Sequence, residues 1–370
     1  MQPSTHDVVV SIITPTIGGK RLPYLLEAIA SVRAQTVQEW ELIIVGDGAD
    51  ETTRAAVDRV VAGDHRIRCI WQSRVGLPAA ENTGIRASSG RYVAFLDDDD
   101  LWAPEKLAKQ VAVMEQDASI GLVATRILLR NEHLGEITGT IPEIHPPLPE
   151  GCTFRNLVKS CFLPKSSVMV RRQVLDQVGL FDPSLQVCED YDLWLRVVKA
   201  TRFTFLTEPL GTYRRHDGNI SASWLKCVET TLQILPRVAP DPAHGVGGWF
   251  YRRTLARLHH LAANEYLDTD DWAPACRHLS AALRHNPLVG VDMTLGRNGK
   301  LSAWQRAIKP YRLLASHWLA MKTGRRMGGV GRQTGAVRRT VSRRGAGNVE
   351  HESVDMTGAS PMAGHEEQTR

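Results

Sequence analysis

The first hundred residues alternate short apolar runs with longer segments in which apolar residues recur at helical spacing. Four runs have the length and composition of buried strands: Val8–Ile13, Glu41–Val45, Ile67–Trp71 and Tyr92–Leu96. Three intervening segments have the periodicity of amphipathic helices: Leu22–Arg33, Thr52–Val61 and Ala79–Ser88. Because a strand–helix–strand unit closes as a right-handed crossover, this alternation predicts an α/β fold with a doubly wound, parallel sheet.

Polar residues follow three of the predicted strands at the point where each strand ends. They are Thr14, Pro15 and Thr16 after the first strand, Asp47 after the second, and Asp97–Asp100 after the fourth. In a doubly wound sheet, ligands bind beyond the carboxyl ends of the strands. We therefore expect the three clusters to converge in one crevice.

The four aspartates from Asp97 to Asp100 place like charges next to one another at a strand end. Such a cluster needs a cation or a basic partner, and a hard divalent ion with oxygen ligands is the natural candidate. The alternative is a solvated acidic loop that caps a helix beginning near Pro104, since acidic residues favour helix N-termini. The sequence predicts a metal site and leaves the acidic cap open.

The composition is that of an ordinary globular protein, and 370 residues with 43% hydrophobic content can bury a sizeable core. The six cysteines are dispersed without a CxxC pair, so neither a zinc ribbon nor a disulfide framework is expected. Apolar runs are too short to span a bilayer, and the first residues lack the basic start and apolar core of a signal peptide. We therefore expect a cytoplasmic protein.

The net charge of +5 is concentrated near the C-terminus, in a Gly-rich stretch between Lys322 and Arg344. With few apolar residues to bury, the chain after about Met321 is expected to be disordered. A basic segment of this kind can contact anionic lipid at the inner face of a membrane, or nucleic acid, although its composition indicates no specific nucleic acid. A solvated tail without a partner is the alternative.

Two common phosphate-binding motifs are missing from the sequence. The first strand is not followed by GxGxxG, which argues against a hydride-transfer enzyme, and there is no GxxxxGK[ST] motif. The segment from Gly18 to Arg21 weakly resembles the Gly-rich basic loop of a nucleotidyltransferase. That class of enzyme stays open as an alternative.

Four segments between about Val8 and Ser221 occur in the order typical of family 2 glycosyltransferases, and the chain resembles that family. They are SIITPT (Ser11–Thr16), ELIIVGDGADE (Glu41–Glu51), AENTGIRASSGRYVAFLDDDDLWAPEKL (Ala80–Leu107) and CEDYDLWLRV (Cys188–Val197). The resemblance implies the GT-A fold with a mixed sheet. It also implies an inverting enzyme that takes a sugar from a nucleotide sugar.

The resemblance further implies a set of donor-binding residues. Thr14 and Asp47 match positions that contact the nucleotide base and ribose in similar enzymes, and a carboxylate is a good acceptor for a uracil N–H or a ribose hydroxyl. Asp98 matches the residue that binds the donor ribose or sugar, and Asp99 matches the ligand of the Mn²⁺ or Mg²⁺ ion that bridges both phosphates. For Asp47, a plain turn position in Gly-Asp-Gly is the alternative. The other members of the predicted donor-binding set are Pro15, Thr16, Asn82, Asp97 and Arg214.

Asp190 matches the catalytic base of the family, and Glu189 precedes it. Inverting transfer needs a carboxylate to receive the proton of the acceptor hydroxyl and a cation to stabilise the departing diphosphate. Because Asp190 opens an amphipathic segment, helix capping is the alternative for this residue. Glu189 is expected to orient the acceptor or the helix, and is the second predicted catalytic residue.

His216 occupies the position where many GT-A enzymes place a histidine that reaches the metal or the diphosphate. Imidazole suits manganese, so His216 joins Asp99 as a predicted metal ligand, with a solvent-facing loop histidine as the alternative. Arg214 or Arg215 is predicted to counter the donor phosphates through a bidentate contact.

Three positions depart from the family pattern. Glu81 replaces a usual arginine, Gly46 replaces a usual acidic residue, and Ile17 replaces a usual aromatic residue. The first change removes a cation that would face the donor phosphates, and Arg74 or Arg86 is a candidate replacement.

After Ser221 the pattern becomes helical. The predicted helices are Trp224–Leu235, Trp249–Leu267 and Trp272–Arg284. The stretch Ala256–Pro287 resembles one tetratricopeptide-like hairpin, which is too little for a solenoid. Leu301–Lys322 is predicted to be an amphipathic helix that either lies on a membrane surface or docks on the protein. We therefore expect a catalytic domain over residues 1–221, a helical region over 222–320 and a basic tail over 321–370.

The sequence as a whole predicts a metal-dependent, inverting glycosyltransferase with a nucleotide sugar as its donor, expected to be a UDP-sugar. Its acceptor is expected to be a glycan or a lipid-linked glycan in surface polysaccharide synthesis. A sugar-nucleotide-binding scaffold without turnover is the alternative from another class of protein.

Overall fold

A nine-stranded mixed sheet forms the centre of the residues that the structure describes. The computed structural model covers residues 8–141, 153–219, 223–289 and 310–317 of the chain. In chain order the strands are β1 (Val10–Thr16), β2 (Trp40–Asp47), β3 (Ile67–Gln72), β4 (Tyr92–Phe95), β5 (Leu101–Trp102), β6 (Ile120–Asn131), β7 (Glu136–Ile141), β8 (Met169–Arg171) and β9 (Arg202–Arg215). The α-helices are α1 (Leu22–Arg33), α2 (Glu51–Val61), α3 (Leu77–Ala87), α4 (Lys106–Gln116), α5 (Phe154–Lys159), α6 (Arg172–Val178), α7 (Glu189–Ala200), α8 (Trp224–Val238), α9 (Gly248–Asp268) and α10 (Trp272–His285).

The strands lie across the sheet in the order β3-β2-β1-β4-β8-β6-β9-β5, and β7 pairs with β6. β1 is parallel to β2 and β4, and β2 is parallel to β3. The sheet becomes mixed where β8 runs antiparallel to both β4 and β6, while β9 lies parallel to β6. This arrangement confirms the predicted α/β fold with a doubly wound mixed sheet.

Apolar side chains cover both faces of the sheet, because successive side chains of a strand point to opposite sides. Ile13 and Val93 are fully buried in one core together with residues of α3 and α7. Ile12 and Leu42 belong to a second core with residues of α1 and α2. Since helices cover both faces, the ends of the strands are where a ligand can approach.

The predicted strands and helices of the first hundred residues agree with the structure to within three residues. The helix predicted from Thr52 begins one residue earlier, where Asp50 is the N-cap and accepts the N–H of Thr53 at 2.7 Å. β9 is a 14-residue strand that pairs with β6 along nearly its whole length, a contact that local apolar patterning does not reveal.

The three predicted C-terminal helices are present as α8, α9 and α10. Residues 310–317 are also helical, and Leu313 packs with Ala263 of α9 and Leu279 of α10. The described part of the predicted segment 301–322 therefore docks on the protein, while the rest of that segment and the basic tail lie outside the described residues. Within the described ranges, none of the helices has both the length and the apolar character needed to cross a membrane. The predicted domain bounds stay a prediction.

Candidate active site

The carboxyl ends of β1 and β4 meet at the acidic cluster. Thr16, the last residue of β1, donates from Oγ1 to Oδ2 of Asp98 at 2.6 Å, and the N–H of Gly18 donates to the same threonine oxygen at 3.0 Å. Asp98, Asp99 and Asp100 are buried. Because β1 and β4 are neighbours in the sheet, the structure brings these two strand ends together as the sequence predicts.

Arg21 is the cation nearest to the middle of the cluster among the described residues. Its Nη1 lies 2.8 Å from Oδ1 of Asp98 and 3.1 Å from Oδ2 of Asp99, and Nη2 donates to the carbonyl oxygen of Gly218 at 2.7 Å. This residue is not among the predicted site residues. Its one sequence signal is its place in the basic loop after β1, which weakly resembles the loop of a nucleotidyltransferase.

Lys165 is a second cation that the sequence analysis missed. Its Nζ lies 2.6 Å from Oε1 of Glu81, 3.0 Å from Oδ1 of Asp97 and 3.4 Å from Oε1 of Glu189. The side chain is only 6% exposed. The four aspartates therefore have basic partners on two sides, which is the arrangement that like charges at a buried strand end require.

Burial raises the pKa of the aspartates in the cluster. For Asp98, burial outweighs the attraction of Arg21 and the pKa rises to about 6. For Asp99, burial and then the charge of Asp97 raise the pKa. Burial, followed by the charge of Asp99, raises the pKa of Asp100 well above its usual range. A further cation would relieve this repulsion.

Three carboxylates of the cluster could hold such a cation. Oxygen atoms of Asp97, Asp99 and Asp100 lie within 4.8 Å of one another. Asp100 already accepts hydrogen bonds from Ser166 Oγ at 2.5 Å and from the N–H of Arg214 at 3.1 Å, so Asp97 and Asp99 are the freer members. An all-oxygen donor set of this kind fits Mg²⁺ or Mn²⁺.

His216 reaches the cluster from the segment after β9. Its Nε2 lies 3.0 Å from Oδ2 of Asp99, and its ring stacks on that of Tyr24 at 5.3 Å between centroids. The predicted ligand is thus within reach of the predicted metal site. Arg214 points elsewhere: its Nη1 bonds Oε2 of Glu27 at 2.6 Å, and its guanidinium lies over the Tyr24 ring. In this structure Arg21 and Lys165 are the cations at the aspartates, and the predicted phosphate contact of Arg214 would need its side chain to turn.

Asp47 holds the loop between β3 and α3. Its Oδ1 accepts hydrogen bonds from Gln72 Nε2 at 3.0 Å and from the N–H of Val75 at 2.8 Å, and its Oδ2 accepts the N–H of Gly76 at 2.9 Å. Asp47 is thus the last residue of β2 rather than a turn residue, and its carboxylate shapes the neighbouring loop. Its predicted contact with the base stays a prediction.

The ring of Trp71 leaves no room for a side chain at Gly46. A Cβ at position 46 would lie 2.1 Å from the Trp71 ring, which leans across the glycine from the paired strand β3. The acidic residue that the family usually has here would collide with that ring. This departure from the family pattern therefore follows from packing.

Asn82 faces the protein interior in this structure. Its Nδ2 donates to the carbonyl oxygen of Phe181 at 2.9 Å, and its Oδ1 accepts the N–H of the same residue at 3.0 Å. Both halves of the amide are used, so the predicted donor contact of Asn82 would have to break this pair. Thr14 is buried in β1, and its Oγ1 has no hydrogen-bond partner within the described ranges, so it keeps its capacity for a ligand. Pro15 lies buried beside it.

The two predicted catalytic residues lie in the first turn of α7. The N-cap of this helix is Cys188, in the left-handed region with φ of 58°, so Asp190 is not the capping residue. Asp190 Oδ1 accepts the N–H of Tyr191 at 2.7 Å. Burial, followed by the charge of Glu189, raises the pKa of Asp190 to about 7. A carboxylate that titrates near neutral pH suits the work of a general base.

Comparison with known proteins gives a family match over the strand ends of this site, while α7 and His216 lie beyond the matched residues. Residues 11–179 match the family model described as Glycosyl transferase family 2. The chain is 27% identical over 258 residues to the putative teichuronic acid biosynthesis glycosyltransferase TuaG of Bacillus subtilis (strain 168), covering 69% of this chain and 91% of that protein. It is also 27% identical over 259 residues to the UDP-Glc:alpha-D-GlcNAc-diphosphoundecaprenol beta-1,3-glucosyltransferase WfgD of Escherichia coli, with the same coverage.

Among solved structures, the fold is similar to that of residues 1–349 of S. aureus TarS in complex with UDP. The TM-score is 0.57 at 15% sequence identity, over 84% of this chain and 92% of that chain. At this identity the likeness establishes the GT-A fold alone.

Proposed function

We propose that this chain, whose residues 11–179 match glycosyl transferase family 2, is a metal-dependent, inverting enzyme that transfers a hexose from a UDP-sugar to a hydroxyl of a lipid-linked glycan. The name of the E. coli relative specifies a UDP-glucose donor and a diphosphoundecaprenol-linked acceptor, which supports this class of substrates. The name of the B. subtilis relative supports a role in surface polysaccharide synthesis.

One observation carries the proposal: a carboxylate of the proposed donor side and one of the proposed acceptor side bond the same ammonium. Asp97 belongs to the acidic strand end, and Glu189 belongs to the first turn of α7. Both bond the same ammonium, Lys165 Nζ, at 3.0 and 3.4 Å. A donor bound at the strand end would therefore have its reacting carbon within reach of the carboxylates of α7.

Asp190 is the proposed general base. In inverting transfer the acceptor oxygen attacks the anomeric carbon on the face opposite the diphosphate, and the bond to the diphosphate breaks as the new bond forms. The hydroxyl proton passes to the Asp190 carboxylate, while the diphosphate leaves with the bonding electrons. The backbone N–H of Tyr191 fixes one oxygen of this carboxylate and leaves the other for the acceptor.

The strand ends are proposed to bind the donor. Asp98 is fixed by Thr16 and Arg21, and Asp47 orders the loop that contains Val75 and Gly76, so these groups are oriented before a ligand arrives. Asp99, with Asp97 beside it and His216 in contact, would hold the divalent ion. When bound, that ion supplies positive charge that stabilises the departing diphosphate.

With a lipid-linked acceptor, the reaction is proposed to occur at the cytoplasmic face of a membrane. The basic segment between Lys322 and Arg344 is the proposed lipid contact, because each lysine or arginine near an anionic surface contributes about 1 kcal/mol of attraction.

A panel of nucleotide sugars tests the proposal. Thermal unfolding of the full chain is measured with UDP-glucose, UDP-GlcNAc and GDP-mannose, each with Mn²⁺, with Mg²⁺ and with EDTA. A ligand that binds the folded state and not the unfolded state raises the unfolding temperature. We therefore expect one UDP-sugar to stabilise the protein, and we expect EDTA to abolish this stabilisation. Stabilisation by none of the nucleotides, or equal stabilisation in EDTA, would contradict the proposal.

Turnover separates an enzyme from a silent scaffold. Slow hydrolysis of the stabilising UDP-sugar to free UDP is measured for the wild type and for Asp190→Asn. We expect release of UDP from the wild type and a loss of at least ~10²-fold in the variant, as is typical when a general base is removed. Binding without hydrolysis and without transfer to any acceptor would favour the scaffold.

A further inference from the structure

Lys165 joins carboxylates from three separate elements of the fold. Glu81 comes from α3, Asp97 from the end of β4 and Glu189 from the start of α7. These positions are distant along the chain, and the ammonium is the point at which they meet. Neither the family match nor any comparison assigns a role to this lysine.

The ammonium keeps its charge despite being buried. Burial opposes the charged form, but Asp97, Glu81 and Glu189 outweigh it and raise the pKa of Lys165 well above its usual range. The carboxylates depend on the lysine in turn. Without it, the charges of Glu81, Asp97 and Glu189 would face one another in a buried crevice, an arrangement that is strongly unfavourable.

The lysine also accounts for an unusual residue in the sequence. The family usually has an arginine at position 81, and here that position is Glu81. Burial raises the pKa of the Glu81 carboxyl well above its usual range, and Lys165, whose Nζ is 2.6 Å from Oε1 of Glu81, opposes this shift. The buried acid at position 81 therefore has a cation beside it.

We propose that Lys165 is a positioning residue for the catalytic pair and compensates the carboxylates around the transfer site. By bonding Glu189 Oε1 in the first turn of α7 and Asp97 at the donor side, it fixes the distance between the two halves of the crevice. It also supplies the positive charge that favours the ionised, proton-accepting form of Asp190. This inference rests on the proposed function of Asp190 as the base.

Among the described residues, Lys165 is the cation with the largest effect on the pKa of Asp190. The other groups that interact with this carboxyl are Glu189 on its own helix, Asp97, and the thiols of Cys161 and Cys188. Lys165 favours ionisation of Asp190, while the neighbouring acids oppose it. Removing the ammonium therefore makes the base harder to ionise.

Three variants test the proposal: Lys165→Met, Lys165→Arg and Glu81→Gln, with Lys159→Met as a matched control at an exposed lysine of α5. UDP-glucose hydrolysis is measured from pH 5 to pH 9. We expect Lys165→Met to lower kcat at pH 7 by at least ~10²-fold with a small change in KM. We also expect the acidic limb of its pH–rate profile to move to higher pH by at least one unit. Lys165→Arg keeps the charge and should keep the limb in place.

Glu81→Gln should not shift the acidic limb of the pH–rate profile to higher pH. It removes an acid and leaves Lys165 free to serve Asp97 and Glu189, so the acidic limb should stay or move to lower pH. A lysine with a merely structural role would lower stability in these variants and leave the limb where it is. An unmoved limb in Lys165→Met, or an upward shift in Glu81→Gln, would overturn the proposal.

A second readout needs no substrate. The N–H of Tyr191 donates to Asp190 Oδ1, so its amide resonance in ¹⁵N-labelled protein reports the ionisation of Asp190. We expect the midpoint of this titration to rise in Lys165→Met and to stay in Lys159→Met. If Lys165→Met does not fold, Glu81→Gln/Lys165→Met removes both members of the ion pair, a change that buried pairs tolerate better, and the same rise is expected.

The two readouts keep this inference separate from the proposed function. If the wild type neither binds nor hydrolyses a nucleotide sugar, the proposed function fails, and the Tyr191 titration still decides whether Lys165 controls Asp190. If the wild type hydrolyses UDP-glucose and Lys165→Met leaves both readouts unchanged, only the role of Lys165 is refuted.

Discussion

His216 donates a hydrogen bond through Nε2 to Oδ2 of Asp99, and its other ring nitrogen accepts one. Nε2 lies 3.0 Å from the carboxylate, and the N–H of Gly218 donates to Nδ1 at 3.0 Å. Because Nδ1 is an acceptor, the proton of a neutral ring must be on Nε2. A metal ion on Nε2 would displace that proton, and the proton of the neutral ring would then be on Nδ1. Nδ1 could no longer accept the N–H of Gly218, so binding of an ion would be coupled to the segment after β9.

This relationship predicts that His216 sets the choice of metal. In His216→Gln an amide can still donate to Asp99, but the imidazole nitrogen that Mn²⁺ favours over Mg²⁺ is gone. We expect the Mn²⁺-supported affinity for UDP-glucose to fall about tenfold and the Mg²⁺-supported affinity to change little. Calorimetry with each ion makes the comparison, and equal losses with both ions would assign His216 to orientation of Asp99 alone.

Asp99→Asn should weaken metal-supported donor binding by about one to two orders of magnitude. An amide is a poorer ligand than a carboxylate, and the diphosphate charge is then left uncompensated. Asp58→Asn, at an exposed position of α2, is the matched control. Unchanged affinity for Mn²⁺ and nucleotide in a folded Asp99→Asn protein would remove this residue from the metal site.

Asp190→Asn should separate binding from turnover. The variant is expected to fold and to keep its donor affinity, while kcat falls by at least ~10²-fold because the amide cannot accept the acceptor proton. Glu189→Gln is measured beside it, and a large loss there alone would move the base by one residue.

For the wild type we expect activity to rise with pH through about 7, because burial raises the pKa of Asp190 to that value and only the ionised form is a base.

The same titration should make the metal-free protein more stable in mild acid. Burial raises the pKa of Asp190 from 3.8 to about 7, so between these values the folded state keeps a proton that the unfolded chain has released. Stability therefore falls as the pH rises from about 4 to about 7. Asp190→Asn removes this contribution, and we expect its free energy of unfolding in EDTA to exceed that of the wild type by about 2–4 kcal/mol at pH 8 and to match it at pH 4. Urea titrations at the two pH values check the sign.

Arg21→Met should strengthen the binding of a divalent ion in the absence of nucleotide. Arg21 Nη1 lies 3.1 Å from Asp99 Oδ2, so the guanidinium competes with an ion for this carboxylate. Its removal should cost the metal-free fold about 1.5–3 kcal/mol, the usual contribution of hydrogen bonds to charged groups. Lys20→Met, at the exposed neighbouring position, should change neither quantity. Weaker Mn²⁺ binding in Arg21→Met would mean that the arginine supports the site.

Local patterning was enough to predict the strand ends and the helices between them. Apolar runs such as Tyr92–Leu96 have the spacing of a buried strand, and the aspartates that follow must then lie at the edge of the sheet. The positions of Asp98, Asp99 and Asp190 follow from such runs together with the family motifs. This part of the site depends on residues that are close together in sequence.

Partners distant in sequence were decided only by the tertiary structure. Asn82 lies 99 positions from Phe181, yet its amide pairs with the backbone of that residue. Arg214 bonds Glu27 of α1, so its guanidinium does not face the acidic cluster. In both cases a polar group was buried by the fold and took the nearest partner that could satisfy it.

The cations of the site show most clearly what the sequence determined and what the tertiary structure decided. The sequence determined that Asp97–Asp100 needs positive charge, because four adjacent carboxylates repel one another wherever they are buried. It did not determine that Arg21 and Lys165 supply it, since an arginine in a loop after β1 and a lysine before β8 have no local signature of that role. Only the order of the strands, with β4 between β1 and β8, brings both side chains to the same acidic cluster. That order is set by packing of the whole sheet, which no short window of the sequence encodes.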